Sequence, residues 1–224
     1  MRPLVLVGPA SLGLAKDPAL SHLVCSQIAY LPLDLENLRS PLGVSLKLAD
    51  FKALLFTSKH APLSLQHGLE DTKALEFLKS LPSFVLADKS AQVAKSLGFK
   101  VAFVGQSGQA KGFVKEVKGI LPSPTLFVRA QSVATDALDF LPSLIAYENT
   151  PIKLPPEQKP KSRSVLIFGA PSSYRHFLAN FAWDPSYAAI ALGKSTLNAF
   201  APGVCAFLSP QPSLEACIEL AKTL

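Results

Sequence analysis

Phe84-Val-Leu-Ala-Asp-Lys-Ser-Ala-Gln-Val-Ala-Lys-Ser-Leu-Gly98 and Ala189-Ile-Ala-Leu-Gly-Lys-Ser-Thr-Leu-Asn-Ala-Phe-Ala-Pro-Gly203 align without a gap. Each reads as an apolar strand, a Lys-Ser pair, a helical stretch, and a glycine where a helix C-cap is wanted. A second pair precedes them. Ala53-Leu-Leu-Phe-Thr57-Ser58-Lys59 resembles Val165-Leu-Ile-Phe-Gly169-Ala170-Pro171, which leads into Ser172 and Ser173. Both are buried strands that end in loops of small and hydroxyl residues. Repetition of one strand-loop-helix unit at this scale predicts two similar α/β domains.

Working outward, further apolar runs fall at Leu4–Val7, Phe84–Leu86, Val101–Val104, Thr125–Val128, Ala188–Leu192 and Cys205–Leu208. They are nearly all apolar and do not alternate, as suits strands covered on both faces of a parallel sheet. Helical spacing lies between them at Ser90–Leu97, Ser172–Phe181, Ser195–Phe200 and Ser213–Leu224. This alternation predicts an α/β fold of two doubly wound, flavodoxin-like parallel-sheet domains. One copy of the repeat fits residues 36–146. The stretch after residue 152 is too short for a whole domain unless residues 1–30 join it. The expectation is therefore a discontinuous domain of 1–30 plus 152–224, with 36–146 inserted. Residues 31–35 and 147–151 would form a two-stranded hinge linker, and a hinge between α/β domains makes a ligand-binding cleft.

Composition narrows the function. The chain has 224 residues, 49% of them apolar and 17% charged, with mean hydropathy +0.29, so disorder is excluded. No long apolar run escapes charge or proline, so no membrane partner is expected. The run Pro3–Ala15 is interrupted by Gly8-Pro9 and reads as a first strand ending in a loop, not a secretion signal. Cys25, Cys205 and Cys217 have apolar neighbours and read as reduced, buried thiols of a cytoplasmic protein. Net charge is +6, from 22 Lys and Arg against 16 Asp and Glu, which favours anionic ligands. The basic residues are scattered, and even the stretch from Lys153 to Arg163 reads as a solvated linker, so no nucleic acid is expected.

Known catalytic signatures are missing: there is no Gly-rich nucleotide loop and no nucleophile elbow. His22, His60, His67 and His176 lack metal-ligand spacing, and no metal is expected. His60 follows a strand-end loop and is the best single acid-base candidate, although it also reads as a surface loop residue. Cys25 reads as core within an apolar helix. What remains is a set of donors at strand ends: Thr57-Ser58-Lys59, Lys89-Ser90, Ser107 to Gln109, Arg129, Pro171-Ser172-Ser173 and Lys194-Ser195-Thr196. Hydroxyls and free N–H groups at helix N-termini hold carboxylates or phosphates. Ordinary helix capping is the competing explanation for any one of them. Together they fit a flexible polyanion, oriented without strong catalytic groups.

These short motifs, in this order, resemble uroporphyrinogen-III synthases. Leu55-Phe56-Thr57-Ser58-Lys59-His60-Ala61 resembles the family's strand followed by Thr-Ser-x-x-Ala. Ala87-Asp-Lys-Ser90-Ala91 through Leu97-Gly98 resembles Gly-x-x-Thr-Ala with a helix ending in Leu-Gly. Leu126-Phe-Val-Arg129-Ala130 resembles a strand ending in Arg-Gly, and Ala146-Tyr147-Glu148-Asn-Thr150 a return linker with its tyrosine. Phe168-Gly-Ala-Pro171-Ser172-Ser173 resembles the Ser-Pro-Ser loop, and Leu192-Gly193-Lys194-Ser195-Thr196 resembles Ile-Gly-x-Thr-Thr.

The resemblance implies a lyase of heme biosynthesis, a monomer that needs no cofactor. Its substrate would be hydroxymethylbilane, a linear tetrapyrrole with eight carboxylates. Water leaves the terminal hydroxymethyl group to give an azafulvene. Ring D attacks through its substituted carbon to give a spiro intermediate, which fragments and recloses with ring D inverted. Carried over, Tyr147 would be the general acid for loss of the hydroxyl. Thr57, Ser58, Ser90, Ser172, Ser173, Ser195 and Thr196 would bind acetate and propionate arms, and Lys59, Lys89, Arg129 and Lys194 would add charge. Departures from the family pattern fall at Leu6-Val7-Gly8-Pro9, where a Thr-Arg is usual, at Ser90, where Thr is usual, and at Ala87 and Ala130, which replace glycines. Gly169-Ala170 also replaces hydroxyl residues before Pro171. The alternative is a non-catalytic two-domain clamshell for a tetrapyrrole or small anion.

Overall fold

The computed structural model describes residues 2–9, 18–70, 72–133 and 135–224. Residues 10–15 of the signal-like run lie outside them. The strands among the described residues are β1 (Leu4–Pro9), β2 (Leu20–Tyr30), β3 (Ala53–Phe56), β4 (Pro82–Val85), β5 (Lys100–Val104), β6 (Thr125–Ala130), β7 (Ser143–Pro151), β8 (Val165–Phe168), β9 (Ala188–Ala191) and β10 (Ala206–Leu208). The helices are α1 (His60–Gly68), α2 (Lys73–Ser80), α3 (Asp88–Ser96), α4 (Ala110–Val117), α5 (Pro171–Leu178), α6 (Lys194–Leu197) and α7 (Leu214–Lys222). The fold is mixed α/β, and its strands pair in parallel within each of two compact units.

One unit comprises Met1–Ile28 with Asn149–Leu224, and the other Ala29–Glu148. β2 and β7 carry the chain out of the first unit and back. In the first unit the strands lie in the order β10-β9-β8-β1-β2, and in the second β5-β4-β3-β6-β7. The two orders are one spatial pattern entered at different points. β3 and β8 hold the centre, and β4 and β9 lie next to them. β6 and β7 in the second unit occupy the places of β1 and β2 in the first.

Central position explains the unbroken apolar runs. All four residues of β3, β8 and β9 are buried. Successive side chains leave opposite faces of a strand. Ala53 and Leu55 thus join Phe113 and Val117 of α4 in one core layer. In the first unit, Leu166 and Phe168 pack with Tyr174 and Phe177 of α5, while Val165 and Ile167 pack with Cys217 and Ile218 of α7. The repeated glycines do the same work twice. Gly98 and Gly203 have φ of 87° and 88°, a left-handed conformation that glycine adopts without strain.

Four sequence expectations need correction. Cys25 lies in β2, not in a helix. Leu20, Leu23, Val24 and Ile28 have helical spacing, but pairing with β1 from Leu20 to Ser26 overrides it. Cys205 is exposed, whereas Cys25 and Cys217 are buried. It precedes β10, whose only paired neighbour is β9 at the sheet margin, so apolar neighbours in sequence do not cover it. His60 is not a loop residue but the first residue of α1, and it is half-buried. The helix expected at Ser195–Phe200 is a single turn, Lys194–Leu197.

Candidate functional site

In the second unit β3 is followed by β4 on one side, whereas its other neighbour β6 is followed by β7 on the opposite side, so the connections after β3 and β6 leave in opposite directions. Ligands of open α/β sheets sit at such a switch point, outside the carboxyl ends of the strands. β3 is followed here by Thr57-Ser58-Lys59, which turn into α1, and Arg129 is the next-to-last residue of β6. β7 lies next to β6 and brings Tyr147. The register of this pair slips by one residue. Arg129 faces Ile145 but Ala130 faces Tyr147, so Ala146 is an inserted residue. Bulges of this kind re-aim side chains and are frequent beside active sites. The Gln131 N–H donates to the Tyr147 carbonyl at 2.8 Å and locks the bulge.

The Tyr147 side chain is 5% exposed. Its ring lies 5.8 Å from the His60 ring, at 49°. Burial raises the Tyr147 pKa, while a hydrogen bond with the Ser58 hydroxyl pulls it down. The His60 backbone N–H donates to Ser58 Oγ at 3.3 Å. Burial lowers the His60 pKa, and the Lys59 charge lowers it further. At neutral pH the cluster therefore combines a protonated phenol with a neutral imidazole. A buried phenol of this kind can donate a hydrogen bond to an oxygen leaving a substrate. Thr57, Ser58 and Lys59 are all partly exposed beside it.

The remaining donors of this unit divide. Arg129 Nε donates to Ser143 Oγ at 3.2 Å, and its Nη1 to the carbonyls of Ala130 and Gln131 at 3.1 and 3.3 Å. The guanidinium thus lines a polar cavity of about 210 Å³ with Arg39, Ser40, Asp139 and Ser143. Lys89 is exposed at the start of α3, while Ser90 is 7% exposed and points inward. The Ser107 loop holds one of the chain's own carboxylates. The backbone N–H groups of Gln106 and Ser107 donate to Glu116 at 2.9 and 2.8 Å, which lowers its pKa.

In the first unit, β8 leads through Gly169-Ala170 into α5, with Ser172 partly exposed and Ser173 buried. Asn149 Nδ2 donates to Ser172 Oγ at 3.4 Å. β9 leads into α6, where Lys194 and Ser195 are exposed and Thr196 is buried. Helix capping does not account for these hydroxyls. α3, α5 and α6 have Ala87, Ala170 and Gly193 at the N-cap, with no side-chain cap. By contrast, Thr72 and Ser213 cap α2 and α7, which carry none of the candidate residues. In these three helices the third residue donates its N–H to the N-cap carbonyl: Ser90, Ser173 and Thr196. The two units therefore repeat one arrangement, a small N-cap residue and a hydroxyl one turn in.

Residue-by-residue reading missed the contact of His60 with Tyr147, the Ala146 bulge, and Asn149. The only local sign was the placement of His60 just after a strand end. Among the described residues no group of His, Cys, Asp and Glu could hold a metal ion. None of their helices is long and apolar enough to cross a membrane.

Fold and site thus define a mixed α/β protein that offers neutral donors at its strand ends and a buried phenol beside them. The family model HEM4, uroporphyrinogen-III synthase HemD, matches residues 22–219. The chain belongs to the uroporphyrinogen-III synthase family. It is similar to the crystal structure of uroporphyrinogen-III synthetase from Helicobacter pylori 26695. That similarity has a TM-score of 0.78 and 30% identity, and it covers 100% of this chain and 99% of that one. A mutant uroporphyrinogen III synthase from the extremely thermophilic bacterium Thermus thermophilus shares the fold, with TM-score 0.56, 15% identity and coverage of 100% and 99%. No curated protein sequence matches the chain.

Proposed function

We propose that this chain is the uroporphyrinogen-III synthase of heme biosynthesis, with Tyr147 as the acid that assists loss of the substrate hydroxyl. Family membership and the full-length 30% similarity support the reaction. The observation that supports the assignment of Tyr147 is its burial at a bulge, against the His60 ring and beside the strand-end donors.

The substrate is the linear tetrapyrrole hydroxymethylbilane. The bond between the terminal methylene carbon and its hydroxyl oxygen breaks, and a proton from Tyr147 Oη makes the leaving group water. The pyrrole nitrogen supplies the electron pair, and loss of its proton gives the neutral azafulvene. Ring D then attacks through its substituted carbon, and fragmentation with reclosure inverts the ring. An unassisted phenol, with pKa about 10, is a weak acid at neutral pH, so Tyr147 assists the step and positioning supplies most of the selectivity.

Thr57, Ser90, Ser172, Ser173, Ser195 and Thr196 hold the acetate and propionate arms, through side chains or the N–H groups around them. Lys59, Lys89, Arg129 and Lys194 supply charge. The first unit, with its strands in the order β2-β1-β8-β9-β10, is a flavodoxin-like domain, the second is doubly wound in the order β5-β4-β3-β6-β7, and the protein works as a cytoplasmic monomer.

The test is a coupled assay. Hydroxymethylbilane is supplied, the products are oxidised, and type I and type III isomers are separated by chromatography. Type III product is expected. Type I alone, from folded protein, leaves a non-catalytic tetrapyrrole binder instead. Tyr147→Phe is expected to slow type III formation by roughly ten- to a hundredfold, at or below the low end for general acids, and to leave substrate binding intact. An unchanged rate removes the acid assignment.

A further inference from the structure

We propose that the second unit carries a separate site for an amphipathic carboxylate. Its apolar body fills a cavity at the amino ends of β6 and β7, and its charged head meets Arg39 and Arg129. The cavity holds about 430 Å³. Small-molecule sites span roughly 300–1,000 Å³. Val114 and Val117 of α4, Leu121, Phe140 and Leu141 line it. Pro41, Pro122, Pro124 and Pro142 also stand in its walls. Proline has a fixed φ and no N–H to offer, so these walls suit an apolar group and resist collapse. Thr125, another lining residue, opens β6, and Pro142 directly precedes β7. None of Thr57, Ser58, Lys59, His60 and Tyr147 lines the cavity.

The head group follows from what adjoins this cavity. The polar cavity of about 210 Å³ shares Ser40, Pro41 and Leu141 with it, and both Arg39 and Arg129 line the polar one. Arg129 spends Nε on Ser143 and Nη1 on the carbonyls of Ala130 and Gln131, which leaves the N–H groups of Nη2 for a ligand. Arg39 sends Nη1 to the Gly43 carbonyl at 3.3 Å and keeps Nε and Nη2. Among the described residues neither guanidinium forms an ion pair, not even with Asp139 in the same wall. Lys118 is exposed and lines the apolar cavity. Three cations against one carboxylate select an anionic head.

The lip shared by the two cavities is a built turn. The Ser40 N–H donates to the Val44 carbonyl at 2.8 Å, and the Val44 N–H donates to Ser40 Oγ at 3.1 Å. Leu42 and Val44 in this turn, Ile120 between two lining residues and Phe140 on the wall itself are all exposed, Leu42 by 92%. Apolar side chains scattered singly over a surface need no explanation, but four gathered at one cavity mark a binding surface.

Decanoate is the probe, used below the concentration at which it forms micelles. Decanol supplies the tail without the charge, and acetate the charge without the tail. Titration calorimetry is run on wild type, Arg39→Gln and Phe140→Ala, and amide chemical shifts locate the bound probe. Arg39 is replaced because Arg129 is also assigned to the substrate. Decanoate should bind more tightly than decanol, and acetate should show no measurable binding. Shifts should gather at Arg39, Gly119, Leu121, Phe140 and Leu141. Arg39→Gln should weaken decanoate about three- to fivefold, the upper range for one exposed ion pair, and leave decanol unchanged. Phe140→Ala should weaken both.

Equal binding of decanoate and decanol, or shifts that gather at Tyr147 instead, would overturn the proposal. So would a dimer in sedimentation velocity that Phe140→Ala dissolves, because a second copy of the chain then covers the cavity. Without decanoate, Arg39→Gln should form type III product at the wild-type rate. A slower rate would place Arg39 on the tetrapyrrole and overturn the separate site. The binding arms read out whether or not type III product forms, so failure of the synthase reading and failure of this site are distinguishable.

Discussion

Half-buried histidines put a pH signature on this protein at the residue scale. His22, His60 and His176 all have lowered pKa values, chiefly because burial disfavours the imidazolium. Lys59 adds to the effect at His60, and Arg175 at His176, while a backbone bond with Gly8 opposes it at His22. In the unfolded chain these groups protonate near pH 6.5, but in the folded chain only lower. Between those values the unfolded state binds more protons, so acid favours unfolding. Stability from these groups is complete above pH 6.5 and is lost as pH falls through the lowered folded values. Asp34, Glu116 and Asp184, also lowered, begin to contribute loss only near pH 4 and below. Thermal midpoints should therefore drop between pH 7 and pH 5. Replacing the three histidines together by Gln should flatten that window, and an unchanged drop would refute the assignment.

At the element scale, two kinds of helix start separate structure from function. Ser213 Oγ accepts from the Ala216 N–H at 3.2 Å and caps α7. Ser195 is exposed in the first turn of α6, where Gly193 is the N-cap. Ser213→Ala should cost about 1 kcal/mol of stability, the usual value of a lost cap, with little effect on KM. Ser195→Ala should leave stability within about 0.5 kcal/mol, as surface substitutions do, and raise KM for the tetrapyrrole. Denaturant unfolding and steady-state kinetics on both variants check this, and the reverse pattern would show that Ser195 is structural. The bulge at Ala146 belongs to this scale too. β7 could pair with β6 without it, but Tyr147 would then meet the other face of the sheet.

At the scale of the whole molecule, the two units share a strand pattern but differ in how the chain supplies it. Ala29–Glu148 is continuous and holds β3 to β6 with the first part of β7. The other unit takes β1 and most of β2 from the N-terminal segment. Leu4, Leu6, Val5, Val7, Leu23 and Cys25 from that segment fill both of its core layers. Residues 29–148 expressed alone should therefore unfold cooperatively, whereas residues 149–224 alone should not, for want of those side chains. Calorimetry on both fragments tests this. A cooperative transition in 149–224 would show that the N-terminal strands are dispensable to that core.

The repeated topology also shows why one unit carries the phenol. The slip at Ala146, before Tyr147, has a counterpart in the first unit. There Gly8 faces Val24 but Pro9 faces Ser26, which leaves Cys25 inserted. Ser26 thus occupies the place that Tyr147 holds in the other unit. It is fully buried and too short to act as a phenol does. The units keep one backbone device and differ in the side chain that it aims.

Much of this was legible in the amino-acid sequence because it depends on local chemistry. Buried strands such as Ala53–Phe56 and Val165–Phe168 must be apolar throughout, so they stand out in any reading. Gly98 and Gly203 mark left-handed turns that other residues resist. Hydroxyls after each strand mark the donor loops. Other features depend on partners distant in the chain. The segment from Leu20 to Tyr30 has helical spacing, and only its pairing with β1 makes it a strand. Cys205 has apolar neighbours in sequence but no cover in space. His60 and Tyr147 are separated by most of the second unit, and the ring contact between them cannot be read from spacing. The sequence determined which residues could form strands, turns and donors, because those preferences act within a few residues. Tertiary structure decided which donors face one another and which are occupied by the protein itself, because burial and pairing arise only when the sheet is assembled.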